Sequence, residues 1–471
     1  MSSELTTLTA ITPIDGRYRR LTERLADHWS EYALIKTRVE VEIEFLIEFL
    51  KVTEIYEITE SITQNLREIY KKFSIEDAQE VKEIEKTTNH DVKAVEYFIR
   101  NRLQNLGLEH LIPYVHYGLT SQDVNNTAIP IMYRRTLKDV LLPDLASLIQ
   151  KLSDLAQRWR DVPMLSFTHG QPASPTTIGK ELAVFGYRLI NLVKQIINLP
   201  ITAKFSGSTG TMATFHLSFP NIDWREFAHR FVEKWNLEYE EITTQISNYD
   251  NLSQHLMLLK GISNVLIDLA QDMWLYISRN YLKLRVIEGE VGSSVMPHKV
   301  NPIHFENAEG NLVLGRQMFN ALADSLPVSR LQRDLTDSTQ LRYVGTAIAF
   351  LVIGISNIGK GLNRIEPNKD VMLQELESHY EVLAEALQTI LRKEGNPEAY
   401  EILKKHTRGF SLSQEAYQQL VSELPFSTQT KEHLLKLKPQ DYTGDAPKLI
   451  NTLSEQLKEL LSEVERYIGS V

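Results

Sequence analysis

The run Ile178-Gly-Lys-Glu-Leu-Ala-Val-Phe-Gly-Tyr-Arg-Leu-Ile-Asn-Leu-Val-Lys-Gln-Ile-Ile-Asn-Leu-Pro200 carries apolar side chains at Ile178, Leu182, Phe185, Leu189, Leu192, Ile196 and Leu199. Alternating steps of four and three lay one apolar seam along a helix, and a left-handed bundle is its natural home. Pro200 stops the run because it lacks the backbone N–H that would continue the ladder. The same spacing returns at Leu258, Ile262, Val265, Leu269, Met273 and Tyr276. A long helical stretch before it, residues 122–160, contains Pro130 and Pro143 and is expected to bend at both. Two further helices are expected over about residues 305–323 and 337–362, the second apolar on nearly every face through its middle. The expected fold is all-α, around a long central five-helix bundle.

At 471 residues the chain is long for one core, so several domains are expected. Residues 1–118 read as an N-terminal α domain, with helical apolar spacing from Val39 to Leu50 and at Val95, Phe98, Ile99 and Leu103. Residues 119–366 hold the bundle, and residues 367–471 return to short charged amphipathic helices, read as a C-terminal α domain. Residues 201–251, rich in glycine, threonine and aromatics, leave room for a little strand. A net charge of −10 argues against a nucleic-acid-binding face, since a phosphate backbone needs a basic one. With no cysteine the chain has neither disulfides nor a thiolate metal site. No apolar leader occupies the first 20 residues, and the run from Val344 to Ile355 is too short to span a bilayer. A cytoplasmic, membrane-free protein is the expectation.

The reactive residues sit in the breaks between helices. Gly292-Ser-Ser-Val-Met-Pro-His-Lys-Val-Asn-Pro302 packs a glycine, two serines, a lysine and an asparagine into a turn rich in backbone N–H groups, a surface suited to an oxyanion. It fails as a phosphate loop, because Pro297 and His298 stand where glycine and lysine are needed. No two of the 13 histidines stand three or four apart, which speaks against a helical metal site. No Gly-x-Gly-x-x-Gly turn suggests a dinucleotide. Thr88 and Asp91 resemble a capping box that would put His90 in a helix's first turn, where the dipole disfavours an imidazolium. Thr120 or Ser121 before Asp123 makes a second cap-like cluster, and Thr12-Pro-Ile-Asp-Gly-Arg-Tyr18 a turn that displays a cation and a phenol.

The 292–302 loop closely resembles the signature loop of the fumarase/aspartase superfamily, and its Met-Pro-His-Lys is similar to the adenylosuccinate lyase branch. Other motifs resemble that branch in the same order along most of the chain. They are Thr87-Thr-Asn-His-Asp-Val-Lys-Ala94, Thr120-Ser-Gln-Asp-Val-Asn-Asn126, Thr168-His-Gly-Gln-Pro172, Thr244-Gln245 and Arg330-Leu-Gln-Arg-Asp-Leu-Thr-Asp-Ser-Thr-Gln-Leu-Arg342. The variants match the longer bacterial form, whereas Gly207-Ser-Thr-Gly-Thr211 departs from the usual Ala-Val between glycines.

The resemblance implies a β-elimination that breaks a C–N bond and releases fumarate, from adenylosuccinate to give AMP and from the succinyl-carboxamide ribotide of purine synthesis. It implies no cofactor and no metal, and a homotetramer whose sites draw on several subunits. By the same resemblance Ser293 is the base and His169 the general acid, with Asn89, His90 and Asp91 at the substrate. Thr120, Ser121, Lys299 and Asn301 match carboxylate contacts, with Gln245 and Asn307 nearby, and Arg17, Tyr18, Arg333, Ser338 and Arg342 match phosphate or nucleotide contacts. A sister lyase such as one for argininosuccinate, or a non-catalytic scaffold, are the alternative readings. About 38 residues of helix between Ser121 and His169 span ~57 Å, too far for both to reach one nucleotide-sized substrate from one chain.

Overall fold

Three consecutive segments, Ser121–Thr136, Leu137–Leu141 and Leu142–Arg158, form the first long rod of the bundle, α1. The computed structural model describes residues 5–287, 289, 295–296, 298–409 and 411–469. Pro130 lies inside regular α-helix, and Pro143 follows a π-helical turn at Leu137–Leu141. That turn absorbs the carbonyl register that a proline cannot satisfy, so the rod continues through Pro143. The other bundle helices are α2 (Ile178–Asn198), α3 (Asp250–Ser278), α4 (Ile303–Ser325) and α5 (Val344–Leu362).

The seam read in α2 points inward at Ile178, Leu182, Phe185, Leu189 and Ile196, while Leu192 and Leu199 are half-buried. Its buried face is wider than one seam, since Ala183, Ile190 and Val193 are also inside. The cause is a further long helix, α6 (Ala446–Gly469), which packs on both α2 and α1. Gly186 makes room for it: a Cβ there would stand 3.1 Å from Leu453. Residues 367–471, grouped together by composition, therefore divide between two cores. Ile450, Leu453, Leu457, Leu460 and Val464 join the bundle, and residues 380–434 build a separate cluster around Tyr380, Leu387, Tyr417 and Leu434.

Helix α5 contacts α4, α3 and α1, which is why it is apolar on nearly every side. Counted with the turn before it, the stretch Thr336–Leu362 is long and apolar enough to cross a membrane, but 72% of its most apolar window is buried inside the fold. Its apolarity is that of a core helix.

The helix Glu31–Thr53 carries two apolar faces. Val41, Phe45 and Phe49 meet the bundle, while Val39, Ile43, Leu46 and Leu50 meet an N-terminal cluster with Phe98, Ile99 and Leu103. Three buried glutamates between those faces each find a partner: Glu40 takes Arg135, Glu42 takes His116, and Glu44 takes Arg67, Tyr70 and Lys234. Among the described residues, strand is confined to one two-residue pairing, Thr202–Ala203 with Glu238–Tyr239, the three-residue pair Leu282–Leu284 with Ile365–Pro367, and one hairpin.

Candidate active site

Helices α1 to α5 run alternately up and down, so the breaks between them fall at two ends. At the first end lie Ser121, Pro200, Tyr249, Ala323 and Asp337; Pro200 O accepts from Asn251 Nδ2 at 3.2 Å and Ala323 O from Ser253 Oγ at 2.8 Å. At the second end, Trp274 Nε1 reaches Glu306 at 3.1 Å and Asn368 Nδ2 reaches Asn280 O at 3.0 Å. The 38 residues from Ser121 to Arg158 separate the two by about 57 Å.

Most of the expected polar residues gather at the first end. Thr88 ends one helix rather than capping the next: Asn89 follows it in the left-handed region, and His90 is itself the N-cap of Asp91–Asn105. The His90 Nδ1 accepts the Lys93 N–H at 3.1 Å, which leaves the ring proton on Nε2. That Nε2 stands 3.5 Å from Ser121 Oγ. Asp91 Oδ2 accepts from buried Arg38 at 2.8 Å and from Arg342 at 3.2 Å. Burial works to raise the Asp91 pKa, but Arg38, the Val92 amide and Arg342 outweigh it and hold it at about 2. Asp91, ionised at neutral pH, thus orients Arg342, whose other nitrogen donates to Ser338 O at 2.8 Å and to Ser338 Oγ at 3.2 Å. Beside them opens a cavity of about 220 Å³ lined by Trp29, Leu34, Arg38, Gln122, Ser338 and Arg342.

Beneath Ser121 lies a buried ion pair that sequence reading missed. Asp123 closes the expected cap by accepting the Thr120 N–H at 2.9 Å. Its second oxygen accepts from Lys204 Nζ at 2.6 Å and from the Ser206 and Gly207 amides at 2.9 and 3.0 Å. Both side chains are fully buried. Desolvation lowers the Lys204 pKa, with Asp123 opposing it. This pair fixes the Gly207–Thr211 loop, and Gln245 Nε2 donates to Ser208 O in that loop at 2.9 Å. Gly210 is obligatory there, because a Cβ would stand 2.1 Å from Thr243 O. The only sequence signal for the anchor was Asp123 three residues after Thr120; a lone lysine such as Lys204 carries none.

The second end holds the remaining candidates. His169 sits at the tip of the hairpin between β1 (Pro163–Thr168) and β2 (Gln171–Thr177), with φ of 53° at His169 and 72° at Gly170. Two left-handed residues in a two-residue loop match the twist of the strands, and both His and Gly tolerate that region. The hairpin is thus a display device: the imidazole is exposed and hydrogen-bonds to no described residue. Tyr18 lies against α4, its hydroxyl accepting from Asn307 Nδ2 at 2.8 Å. Burial pushes the phenol up, but Asn311, Asn307 and neighbouring Arg17 together lower its pKa below the ordinary value. Lys299 is exposed, Asn301 half-buried at the start of α4, and the Lys299 amide donates to Met296 O at 3.1 Å. Ser293, like Gly292 and Pro297 of the same loop, lies outside the described residues.

A single chain therefore brings together Asn89, His90, Asp91, Thr120, Ser121, Gln245, Arg333, Ser338 and Arg342 at one end. It holds His169, Arg17, Tyr18, Lys299, Asn301 and Asn307 at the other.

Residues 16–317 match the family described as Lyase, and residues 329–443 match the one described as Adenylosuccinate lyase C-terminal. An adenylosuccinate lyase of Dictyostelium discoideum is 44% identical over 457 residues, covering 94% of this chain and 98% of its own. One from Vibrio cholerae is 41% identical over 455 residues, covering 96% of this chain and 100% of its own. In fold, the chain is similar to a fumarate lyase from Mesorhizobium sp. BNC1, with a TM-score of 0.73 at 20% identity over 92% of this chain and 97% of that one. On the match over most of its length, this chain belongs to the adenylosuccinate lyase family.

Proposed function

We propose that this chain cleaves adenylosuccinate to AMP and fumarate, and the succinyl-carboxamide ribotide in the same way, as a cytoplasmic enzyme of purine biosynthesis. The observation that carries this reading is the first-end constellation. In a chain of net charge −10, Arg333, Ser338 and Arg342 stand on one segment beside the His90–Ser121 pair, a concentration suited to a substrate with two carboxylates and a phosphate. Guanidinium forks match phosphate oxygens better than an ammonium does.

In the elimination a base removes the proton from the carbon beside one carboxylate. The electron pair moves into that carboxylate as a dianionic aci-form, then returns to form the fumarate double bond as the C–N bond breaks. The departing nitrogen takes a proton from an acid. Ser293 is the proposed base, helped by Lys299 and loop amides, with loop closure excluding water. His169 is the proposed acid, on a hairpin tip that lets the ring enter a site from outside.

The proposed assembly is a homotetramer in which the first end of one bundle meets the second end of others. The proposed division at residues 118 and 366 belongs to the same reading, with α6 returned to the bundle. An ultraviolet assay with adenylosuccinate, with argininosuccinate, and with and without a chelator tests the activity. Turnover of adenylosuccinate that ignores the chelator is expected; turnover of argininosuccinate alone, or loss with chelator, overturns the proposal.

A further inference from the structure

Tyr249 is the least expected residue at the first end. It is 4% exposed, yet its φ is 58°, a left-handed conformation that costs a bulky non-glycine residue on the order of 1–3 kcal/mol. Strain of this kind persists only where surrounding contacts hold it. Here they form a directed chain. The Ser247 amide donates to Asn126 Oδ1 at 2.9 Å, Asn126 Nδ2 donates to the Tyr249 hydroxyl at 2.7 Å, and that hydroxyl donates to Asp337 Oδ2 at 2.8 Å. Each member is buried, so each bond is made in a low-dielectric interior where its loss leaves an unsatisfied group.

The three segments tied by this one oxygen are those that carry the first-end candidates. Asn126 lies on α1 just over one turn after Ser121. Tyr249 stands four residues after Gln245. Asp337 lies between Arg333 and Arg342 and next to Ser338. The stretch leading into Asp337 packs little apolar surface: Val328, Leu331 and Leu335 are 73%, 97% and 69% exposed, and the short helix Thr336–Leu341 spans under two turns.

We propose that Tyr249 is a positioning residue, whose hydroxyl sets the Arg333–Arg342 segment at its working distance from Ser121 and Gln245. It touches no substrate; it acts through the arginines. The role rests on the proposed reading of those arginines as nucleotide-phosphate contacts.

The test is Tyr249→Phe, which keeps the ring and removes only the oxygen. Tyr133→Phe is the control, since its hydroxyl is equally buried but hydrogen-bonds to no described residue. The measurements are KM and kcat for adenylosuccinate, inhibition by AMP, inhibition by fumarate, and thermal midpoint. Expected for Tyr249→Phe are a KM and an AMP inhibition constant raised at least about tenfold, the scale of a lost charge-assisted hydrogen bond. Fumarate inhibition should change little, and Tyr133→Phe should leave all binding constants alone. A Tyr249→Phe protein of lowered midpoint but wild-type KM and AMP inhibition overturns the proposal, and so does an equal loss for AMP and fumarate. Should Tyr249→Phe not fold, Asp337→Ala against Asp337→Asn decides, because asparagine keeps an acceptor for the hydroxyl. Weakened AMP binding in the first and recovery in the second are expected, and equal behaviour of the two overturns the role. A wild-type chain that binds no AMP sinks the functional reading instead, which keeps the two failures apart.

Discussion

The two ends of the bundle are built on opposite plans. At the first, buried polar anchors stand behind the segments that carry the candidates: Arg38 behind Asp91, Lys204 behind Asp123, Tyr249 behind Asp337. At the second, His169 projects from a hairpin tip and Lys299 lies exposed in a loop, neither held by a buried ion pair. A preset surface facing displayed groups is what a site shared between chains requires, because the donor of the displayed groups must be free to dock. In the proposed shared site, pre-organisation belongs to the end that binds, and exposure to the end that is delivered.

The largest effect should come from breaking the delivery. His169→Ala is expected to lose on the order of 10²–10⁴-fold in turnover with little change in stability, since the ring has no packing role. Ser293→Ala should lose the chemical step while still binding substrate. Mixed by co-refolding, an inactive Thr120→Ala, Ser121→Ala double variant and His169→Ala should regain activity. Each end is intact half the time, so about a quarter of sites should work if the ends come from different chains. A mixture as inactive as its parents, in verified mixed tetramers, would return both ends to one chain.

Next in size is a break in the preset end. Lys204→Met leaves the Asp123 carboxylate buried without its cation, and about 3–5 kcal/mol of stability should be lost in denaturant unfolding. A loss below 1 kcal/mol would mean that the amides of Ser206 and Gly207 suffice.

Arg17→Ala and Arg333→Ala, one from each end, should each weaken substrate binding by roughly 1.5–3 kcal/mol with smaller effects on kcat. Unchanged KM in both would move the phosphate elsewhere.

The smallest effect concerns acid. Asp91 has a folded pKa of about 2 against an ordinary 3.8, so its contribution is fully present above 3.8 and is lost as pH falls toward 2. Asp91→Asn should cost about 2 kcal/mol at neutral pH, and its deficit against wild type should shrink across that window. A deficit independent of pH would show that the charge is not what stabilises the first end.

Local pattern made much of this legible. Period and breaks in the apolar residues located the helices, because a seam of fours and threes has one way to be buried. The length of helix between Ser121 and His169 already separated the ends, since rise per residue is fixed by backbone geometry. The motif strings placed the chain beside its relatives. What they left out were the long-range contacts. Nothing local tells that Ala446–Gly469 leaves its neighbours to cover α2, because an amphipathic helix states that it has a buried face but not against what. Nothing local tells that a π turn lets α1 run through Pro143, or that Thr168–Gln171 closes a hairpin with a histidine at its tip. Lys204 and Asp123 are 81 residues apart and Tyr249 and Asp337 are 88 apart. Such pairs are selected by which groups meet when apolar faces close, where a buried charge or hydroxyl must find its partner or be costly. That choice is made in three dimensions, and it is what turns scattered loop residues into one prepared surface.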